Sequence, residues 1–401
     1  MGEAMQLRGI RTDARSRAVR TRADDLRPPG LGTALAAHVL TRAVSLLALL
    51  VGGTMSDSSA LKVLTRWDAR WYARIAEDGY GQVVVAADGR HLSDYAFFPL
   101  YPALERLVSG LTGLTVLHAG LVVSAVSSLV AAAGIYRVGT LLHGSRTGIV
   151  LVVLWSAVPV SVVQSMAYTE SLFTALAAWS LYAVLIHRYA VAGVAACLAG
   201  LTRPMGVAVV AAVAVGALIR LRDLHRARRG GAAPSASTVL DPAAGLVLAP
   251  LGLAGYLTYV GRQRDGALAY LDVTHGWGNG FDGGLGFAAW VWRLLLDGQP
   301  MLAVAVLLGV ALLASAVVAT ARRGYPSPVL TFTLVSVLLS FATATYFGSK
   351  PRYLLPVFTL LLWPSPWLAR LPASRLLFVL GGLAVSSATY GAIWLYGPGP
   401  P

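Results

Sequence analysis

The segment "RWDARWYARIAEDGY" (residues 66–80) concentrates residue types that can do chemistry. It holds three arginines, three acids, two tryptophans and two tyrosines in fifteen positions. On a helical wheel Trp67 and Trp71 share one apolar face, and Asp68 lies in the neighbouring apolar sector. A carboxylate in such a sector is partly desolvated, which raises its proton affinity and suits it to general-base chemistry. The alternative is that Asp68 only caps a helix that starts at Ala69.

Other ionisable residues stand at the ends of apolar runs, where a charge calls for a partner or a ligand. Glu170 begins such a run and Arg203 lies in a later turn, which makes Glu170 either a structural ion-pair partner of Arg203 or a substrate contact. Lys350 and Arg352, in "SKPRY", are candidate ligands for an anion, or else long cations that snorkel to the membrane interface. Asp94 is a candidate second acid of the same site, or a loop carboxylate that is solvated or caps the following helix.

Aromatic side chains around these charges are candidate ligand contacts, although interfacial tyrosines and tryptophans usually need no such role. His275, in "THGWG", could contact substrate or donate a proton, whereas a lone loop histidine more often does neither. The predicted substrate contacts are Trp67, Arg70, Trp71, Tyr72, Asp94, Glu170, Tyr353 and His275. The chain has no HExxH motif, no paired DxD and a single cysteine, so we expect neither a metal site nor a disulfide.

The composition indicates which elements position these residues. The chain has 401 residues, of which 56% are hydrophobic and 12% charged, whereas about 25% are charged in a typical soluble domain. Its mean hydropathy is +0.67. Apolar runs of about 17–25 residues match the thickness of a bilayer core, so we predict a polytopic helical membrane protein. The net charge of +14 does not indicate nucleic-acid binding, because the arginines recur between the apolar runs.

We predict about eleven membrane segments, with residues 99–113 forming an additional interfacial helix. Short basic connections mark the cytoplasmic side of the membrane, which places the N-terminus inside. The predicted membrane segments are 33–53, 114–141, 147–165, 168–187, 189–202, 204–221, 241–261, 299–320, 327–347, 353–369 and 374–396.

The connections divide the chain unequally. Residues 1–30 are predicted to be a disordered basic cytoplasmic tail, followed by a single transmembrane catalytic domain over residues 31–398. Within that domain, residues 54–113 form a first extracytoplasmic loop with interfacial helices. Residues 222–240 form a basic cytoplasmic loop, and residues 262–298 a second extracytoplasmic loop. The glycine-rich "GWGNGFDGGLG" follows no strand pattern, so we expect a mobile loop there and not a phosphate-binding one.

Three motifs together resemble a known family. In chain order, "RWDARWYARIAEDGY", "DYAFFPLYPALERL" and "YTESLF" resemble the PIG-V-like family of membrane mannosyltransferases. That family has the GT-C glycosyltransferase architecture: an all-α polytopic fold with catalysis on the lumenal or extracytoplasmic side. The first two motifs stand at the separation that the resemblance requires. The second long loop is only loosely similar to the family, so little is carried over from it.

The resemblance implies an inverting transfer of mannose from a polyprenyl-phosphate donor to an extracytoplasmic lipid, glycan or protein, at a bacterial plasma membrane. Asp68 would take the proton from the acceptor hydroxyl, and Arg352, Lys350 and Arg203 would bind the donor phosphate. Neither a metal nor another cofactor is expected. Membrane lipids are expected partners and nucleic acid is not. A common site requires Asp68, Arg203 and Arg352 to face one cavity.

Two alternatives to mannose transfer stay open. One is a GT-C transferase that uses another lipid-linked sugar, such as arabinofuranose or glucose, because a few hydroxyl contacts decide sugar identity. The other is a non-enzymatic transporter of lipids or solutes, which would also be polytopic. Transporters usually show repeated halves and polar residues near the middle of the membrane. This chain shows no internal repeat, and several of its apolar runs are almost free of ionisable groups.

Overall fold

The computed structural model describes residues 30–231, 233–344 and 349–397. The predicted disordered tail, apart from Gly30, lies outside these described residues. The helices of the first half are α1 (Leu31–Thr54), α2 (Ala60–Leu64), α3 (Asp68–Asp78), α4 (Leu100–Thr112), α5 (Val116–His143), α6 (Ser145–Ser156), α7 (Glu170–Leu185) and α8 (Tyr189–Gly200). Those of the second half are α9 (Gly206–Arg229), α10 (Ala236–Leu248), α11 (Leu251–Gln263), α12 (Ala269–Gly276), α13 (Leu285–Leu296), α14 (Pro300–Arg322), α15 (Ser327–Ala342), α16 (Ser349–Leu354), α17 (Ser365–Leu368) and α18 (Ala373–Tyr396).

Long apolar helices make the chain an integral membrane protein. Five spans in the described part of the chain are long and apolar enough to cross a bilayer, fewer than the eleven predicted. These spans are α1, α5, the pair α10–α11, α14 and α18. Shorter apolar helices, among them α6, α7, α8 and α15, pack between them. Helix α4 covers almost the same residues as the predicted interfacial helix.

Prolines explain where the observed helices differ from the predicted membrane segments. The predicted segment 147–165 is α-helical only to Ser156, because Pro159 disfavours helical backbone before it and supplies no amide donor; a short 3-10 helix, Ser161–Ser165, follows. The predicted segment 353–369 contains three prolines and consists of short turns, the 3-10 helix Phe358–Leu362 among them. Helix α9, in contrast, runs two turns beyond its predicted end, since Leu, Ala and Arg are good helix formers.

The break after α6 is held by a buried cation from α1. The guanidinium of Arg42 donates to the backbone carbonyls of Ser156 and Ser161 and to the Oγ of Ser161, the last at 2.8 Å. Carbonyl groups at a helix C-terminus have no partner within the helix, and a cation there is favoured. Arg42 therefore stabilises the sharp turn that redirects the chain toward the start of α7.

The two long connections meet at one end of the helix bundle, hereafter called the loop end. The first contains α2, α3, α4 and a two-stranded antiparallel hairpin, β1 (Val83–Val85) and β2 (His91–Ser93). The second contains α12 and α13. The indole nitrogen of Trp277, just after α12, donates to the carbonyl of Ser93 at 2.9 Å. The core lies beneath this end, where α5 to α9 bury large side chains such as Trp155 and Tyr136.

Candidate active site

Asp68 is the first residue of α3. Helix α2 ends at Leu64, and Trp67 then takes a left-handed backbone conformation with φ of 55°. A bulky residue in that conformation costs about 1–3 kcal/mol and persists only where its surroundings support it. Here the Arg66 guanidinium lies 4.6 Å from the Trp67 ring centroid. The break separates α2 from α3 and leaves Trp67 just outside α3, so no single continuous helix carries the apolar face predicted for Trp67 and Trp71.

Four ionised side chains from distant parts of the sequence form one charge cluster: Asp68, Glu170, Arg203 and Arg352. Arg352 Nη2 lies 2.8 Å from Asp68 Oδ2, and Arg352 Nε lies 2.9 Å from Glu170 Oε1. The same Glu170 oxygen lies 2.6 Å from Arg203 Nη1. The pairs make a chain in which charges of opposite sign alternate. Its net formal charge is zero.

Burial differs sharply along the charge cluster. The Glu170 side chain is 1% exposed, those of Arg203 and Arg352 are 8% and 10%, and that of Asp68 is 24%. Asp68 is therefore the end of the cluster that solvent or a substrate reaches. Burial lowers the pKa of Arg352, but the carboxylates of Asp68 and Glu170 outweigh burial and raise that pKa well above its usual range. Arg352 is thus a permanent cation between two acids.

Local structure fixes the buried half of the cluster. Glu170 is the first residue of α7, where the helix dipole favours a negative charge. The preceding backbone is anchored by Ser124, whose Oγ donates to the carbonyl of Tyr168 at 3.0 Å. Arg203 lies in the turn between α8 and α9. That turn is tight, because a Cβ on Gly206 would come within 2.6 Å of the Gly200 Cα.

Tyrosine rings surround the two guanidinium groups. The Cζ of Arg352 lies 5.0 Å from the ring centroid of Tyr168 and 5.7 Å from that of Tyr353. The Cζ of Arg203 lies 5.4 Å from the Tyr353 ring. Such cation–π contacts are strongest where water is excluded. The Tyr168 hydroxyl also approaches the loop before α3, accepting from the backbone amide of Asp68 at 3.3 Å.

An aromatic wall stands beside the charge cluster on α3. Trp71 stacks on Phe97 with ring centroids 5.6 Å apart, and it meets Trp277 edge-on at 5.1 Å. Tyr72 contacts Phe97 edge-on at 5.0 Å, and its hydroxyl lies 3.3 Å from Thr169 Oγ1. The wall joins the first long connection to the second. Flat apolar rings beside polar groups suit the face of a sugar ring or a lipid.

The structure places several sequence-predicted residues away from the charge cluster. The Lys350 ammonium donates to the carbonyls of Ser340 and Thr343, at 3.0 and 2.8 Å, and so ends α15. Asp94 accepts from the backbone amides of Gly81 and Gln82, both at 2.9 Å, and so ties the hairpin to the end of α3.

Two further predicted contacts stand apart as well. Arg70 and His275 are exposed, and the described structure gives neither a polar contact with the cluster. Trp67 packs against Arg66. Sequence reasoning did not single out Tyr168, Phe97 and Trp277. Only the position of Tyr168, two residues before Glu170, could have signalled its role.

A metal site was not expected from the sequence. Within residues 30–231, 233–344 and 349–397, no group of three His, Cys, Asp or Glu side chains could hold a metal ion. Metal-independent chemistry stays a prediction. The two acids of the charge cluster, Asp68 and Glu170, are each paired with arginine.

The helix arrangement is that of the GT-C fold, which defines a class of polytopic integral membrane proteins. The chain is similar to two crystal structures of ArnT from Cupriavidus metallidurans, one bound to undecaprenyl phosphate and one in the apo state. Both superpose with a TM-score of 0.51 and cover 89% of this chain, and the chain covers 75% and 74% of ArnT. The sequence identities, 16% and 14%, establish a shared fold.

No match assigns the chain to a particular family within that fold. No protein-family model matches the sequence, and no curated protein matches it either. The predicted membership of the PIG-V-like family therefore stays a prediction.

Proposed function

We propose that this protein is a membrane glycosyltransferase that moves a sugar, expected to be mannose, from a polyprenyl-phosphate donor to a hydroxyl acceptor. The observation that carries the proposal is the charge cluster, which joins a partly exposed carboxylate to buried guanidinium groups beside an aromatic wall. The bound undecaprenyl phosphate of ArnT, which has the same fold, supports a polyprenyl-phosphate donor.

Asp68 is proposed as the general base. Its Oδ2 is held by Arg352, so Oδ1 is the oxygen that would accept the proton of the acceptor hydroxyl. The acceptor oxygen then forms a bond to the anomeric carbon as the bond from that carbon to the phosphate oxygen breaks. The electron pair of the broken bond stays on the lipid phosphate. Attack from the face opposite the leaving group inverts the anomeric configuration.

Arg352 and Arg203 are proposed as the donor-phosphate ligands. A guanidinium has five N–H donors, and the pairs with Asp68 and Glu170 engage only Nε and Nη2 of Arg352. Its other terminal nitrogen could donate to a phosphate oxygen whose charge grows as the bond breaks. Lys350 is left out of this proposal, because its ammonium is engaged by two backbone carbonyls. Tyr353 and Tyr72 are proposed to border the same site.

The reaction is proposed to take place on the extracytoplasmic side. The Arg146 guanidinium donates to the carbonyl of Leu371 at 2.7 Å, which brings two basic connections together at the end of the bundle opposite the charge cluster. Arg220 and the four arginines after it in α9 lie at that end too. Short basic connections favour the cytoplasm, so the loop end would face outward.

The experiment reconstitutes the purified chain with polyprenyl-phosphate mannose and a lipid acceptor extract, and measures sugar transfer. Asp68→Asn should lower kcat by about 10²–10⁴-fold, the usual contribution of a general base. The matched control is Asp78→Asn, at the exposed end of the same helix, which should keep near wild-type activity. Unchanged transfer by folded Asp68→Asn would refute the base assignment.

The donor is tested in parallel reactions. Polyprenyl-phosphate glucose and polyprenyl-phosphate arabinofuranose replace the mannose donor under otherwise identical conditions. Faster transfer from one of these donors would identify its sugar as the substrate in place of mannose, and the proposed glycosyltransferase activity would stand. Absence of transfer from all three donors, together with donor movement across the vesicle bilayer, would favour a transporter.

A further inference from the structure

A basic cavity lies at the end of the bundle opposite the charge cluster. It is formed where the turn between α7 and α8 meets the later half of α9 and the start of α10. Its volume is about 670 Å³, and its polar lining includes His187, Arg188, Tyr189, Arg220 and Asp241. None of these residues takes part in the proposed transfer chemistry. The cavity therefore calls for a separate explanation.

The acid of the basic cavity is already engaged by backbone. Asp241 Oδ2 accepts from the Tyr189 amide at 2.8 Å, and Oδ1 accepts from the Ala190 amide at 3.1 Å. Asp241 thus caps the first turn of α8 from the side of α10. Both of its oxygens are thus directed to these amides, and the carboxylate forms no ion pair with an arginine of the cavity within the described residues.

The cations of the basic cavity have no such partner. Neither Arg188 nor Arg220 forms an ion pair within the described part of the chain. Burial, and then the nearby Arg220 cation, lowers the pKa of His187, as expected in a positive local field. The other carboxylate near the cavity is Asp223, one turn further along α9, which interacts electrostatically with the Tyr189 hydroxyl. The guanidinium groups of Arg188 and Arg220 therefore line the cavity without an ion-pair partner among the described residues.

The basic cavity lies at headgroup depth in a bilayer. Residues 206–219 of α9 carry no charged side chain, whereas residues 220–229 carry five arginines. Arg220 therefore stands where α9 leaves the apolar core. Val191 on α8 lines the cavity and is 55% exposed. Leu218 on α9 and Leu240 on α10, close in sequence to the lining residues Arg220 and Asp241, are 56% and 64% exposed. Such a surface fits acyl chains better than water.

We propose that the basic cavity binds the phosphate of an anionic phospholipid headgroup. Arg188 and Arg220 would contact the phosphate, because guanidinium groups bind phosphate oxygens with paired hydrogen bonds. The exposed apolar surface around the mouth would contact the acyl chains. Basic pockets between membrane helices are suited to anionic headgroups. A free phosphate ion would use the same cations but would gain nothing from the apolar surface.

The test uses the purified, delipidated full chain in neutral detergent. Its thermal unfolding is followed while dioleoyl phosphatidylglycerol or dioleoyl phosphatidylcholine is added in mixed micelles. Phosphatidylglycerol should raise Tm and phosphatidylcholine should not. The double variant Arg188→Gln/Arg220→Gln should need about 10- to 30-fold more phosphatidylglycerol for the same rise, since each cation near a membrane surface contributes about fivefold in affinity.

The matched control removes two positive charges from the end of the same helix, outside the cavity, as Arg228→Gln/Arg229→Gln. This control should keep the wild-type response, and an equal loss in both double variants would show diffuse attraction and overturn the proposal. An equal Tm rise with inorganic phosphate would assign the cavity to a free anion instead.

If the cavity variant does not fold, native mass spectrometry of the wild type provides an independent measurement. Equal retention of the two lipids would then refute the proposal, and preferential retention of phosphatidylglycerol would support it.

Discussion

The charge cluster makes a quantitative prediction about the pair formed by Glu170 and Arg203. Both side chains are almost fully buried, and their charged atoms lie 2.6 Å apart. Removing one partner of a buried ion pair costs about 3–5 kcal/mol, because the other charge is left without compensation. Glu170→Gln leaves the cluster with a net charge of +1, and Arg203→Gln leaves it with −1. We expect each single variant to lose stability in that range.

The double variant Glu170→Gln/Arg203→Gln should lose less than the sum of the two. It returns the net charge of the cluster to zero and keeps the pair between Asp68 and Arg352, whose atoms are 2.8 Å apart. Coupling between residues in one ion-pair network is typically 0.5–3 kcal/mol. We expect the upper part of that range, about 2–3 kcal/mol, since both groups are desolvated.

The assay compares thermal unfolding of the four proteins, purified in the same detergent at the same pH. Asp78→Asn is the matched control: it removes one negative charge at an exposed position of α3 and should change stability by less than about 0.5 kcal/mol. Additive losses, with a coupling below about 0.5 kcal/mol, would refute the electrostatic reasoning. In that case shape and packing, not charge compensation, would explain the cluster.

Two further predictions concern the buried ionisable side chains of Glu105 and Lys350. Burial, and secondarily the carboxylate of Glu77, raises the pKa of Glu105 on α4 from 4.5 to about 9, so the folded chain holds a proton that the unfolded chain releases above pH 4.5. Wild-type stability should therefore fall as the pH rises from about 5 to about 9. Glu105→Gln should remove this dependence and be more stable than the wild type by about 3 kcal/mol at pH 7. Identical pH profiles of Tm for the wild type and Glu105→Gln would contradict this prediction. Lys350→Met should lose about 1–3 kcal/mol of stability, because the carbonyls of Ser340 and Thr343 lose their donor. The KM for the lipid-linked donor should stay unchanged. A raised KM in the folded variant would instead assign Lys350 to the phosphate site.

The membrane character of the chain could be predicted from composition, because a chain with so few charged residues cannot cover a water-soluble surface. The bounds of α4 were also close to prediction, since its amphipathic pattern is local. Helix ends within apolar runs were less predictable. The residues after Ser156 are apolar, but Pro159 and the carbonyl contacts of Arg42 end the helix there. Those contacts join segments more than a hundred residues apart.

The sequence by itself determined which residue types were available at the candidate site: an acid among aromatics, and a few cations at the ends of apolar runs. Only the tertiary structure decided which of them meet. Lys350 and Arg352 are two residues apart in α16, and side chains at that spacing point to different sides of a helix. Lys350 therefore caps the end of α15, and Arg352 pairs with Asp68 and Glu170. Ion pairs depend on distance in space, which local sequence patterns do not encode.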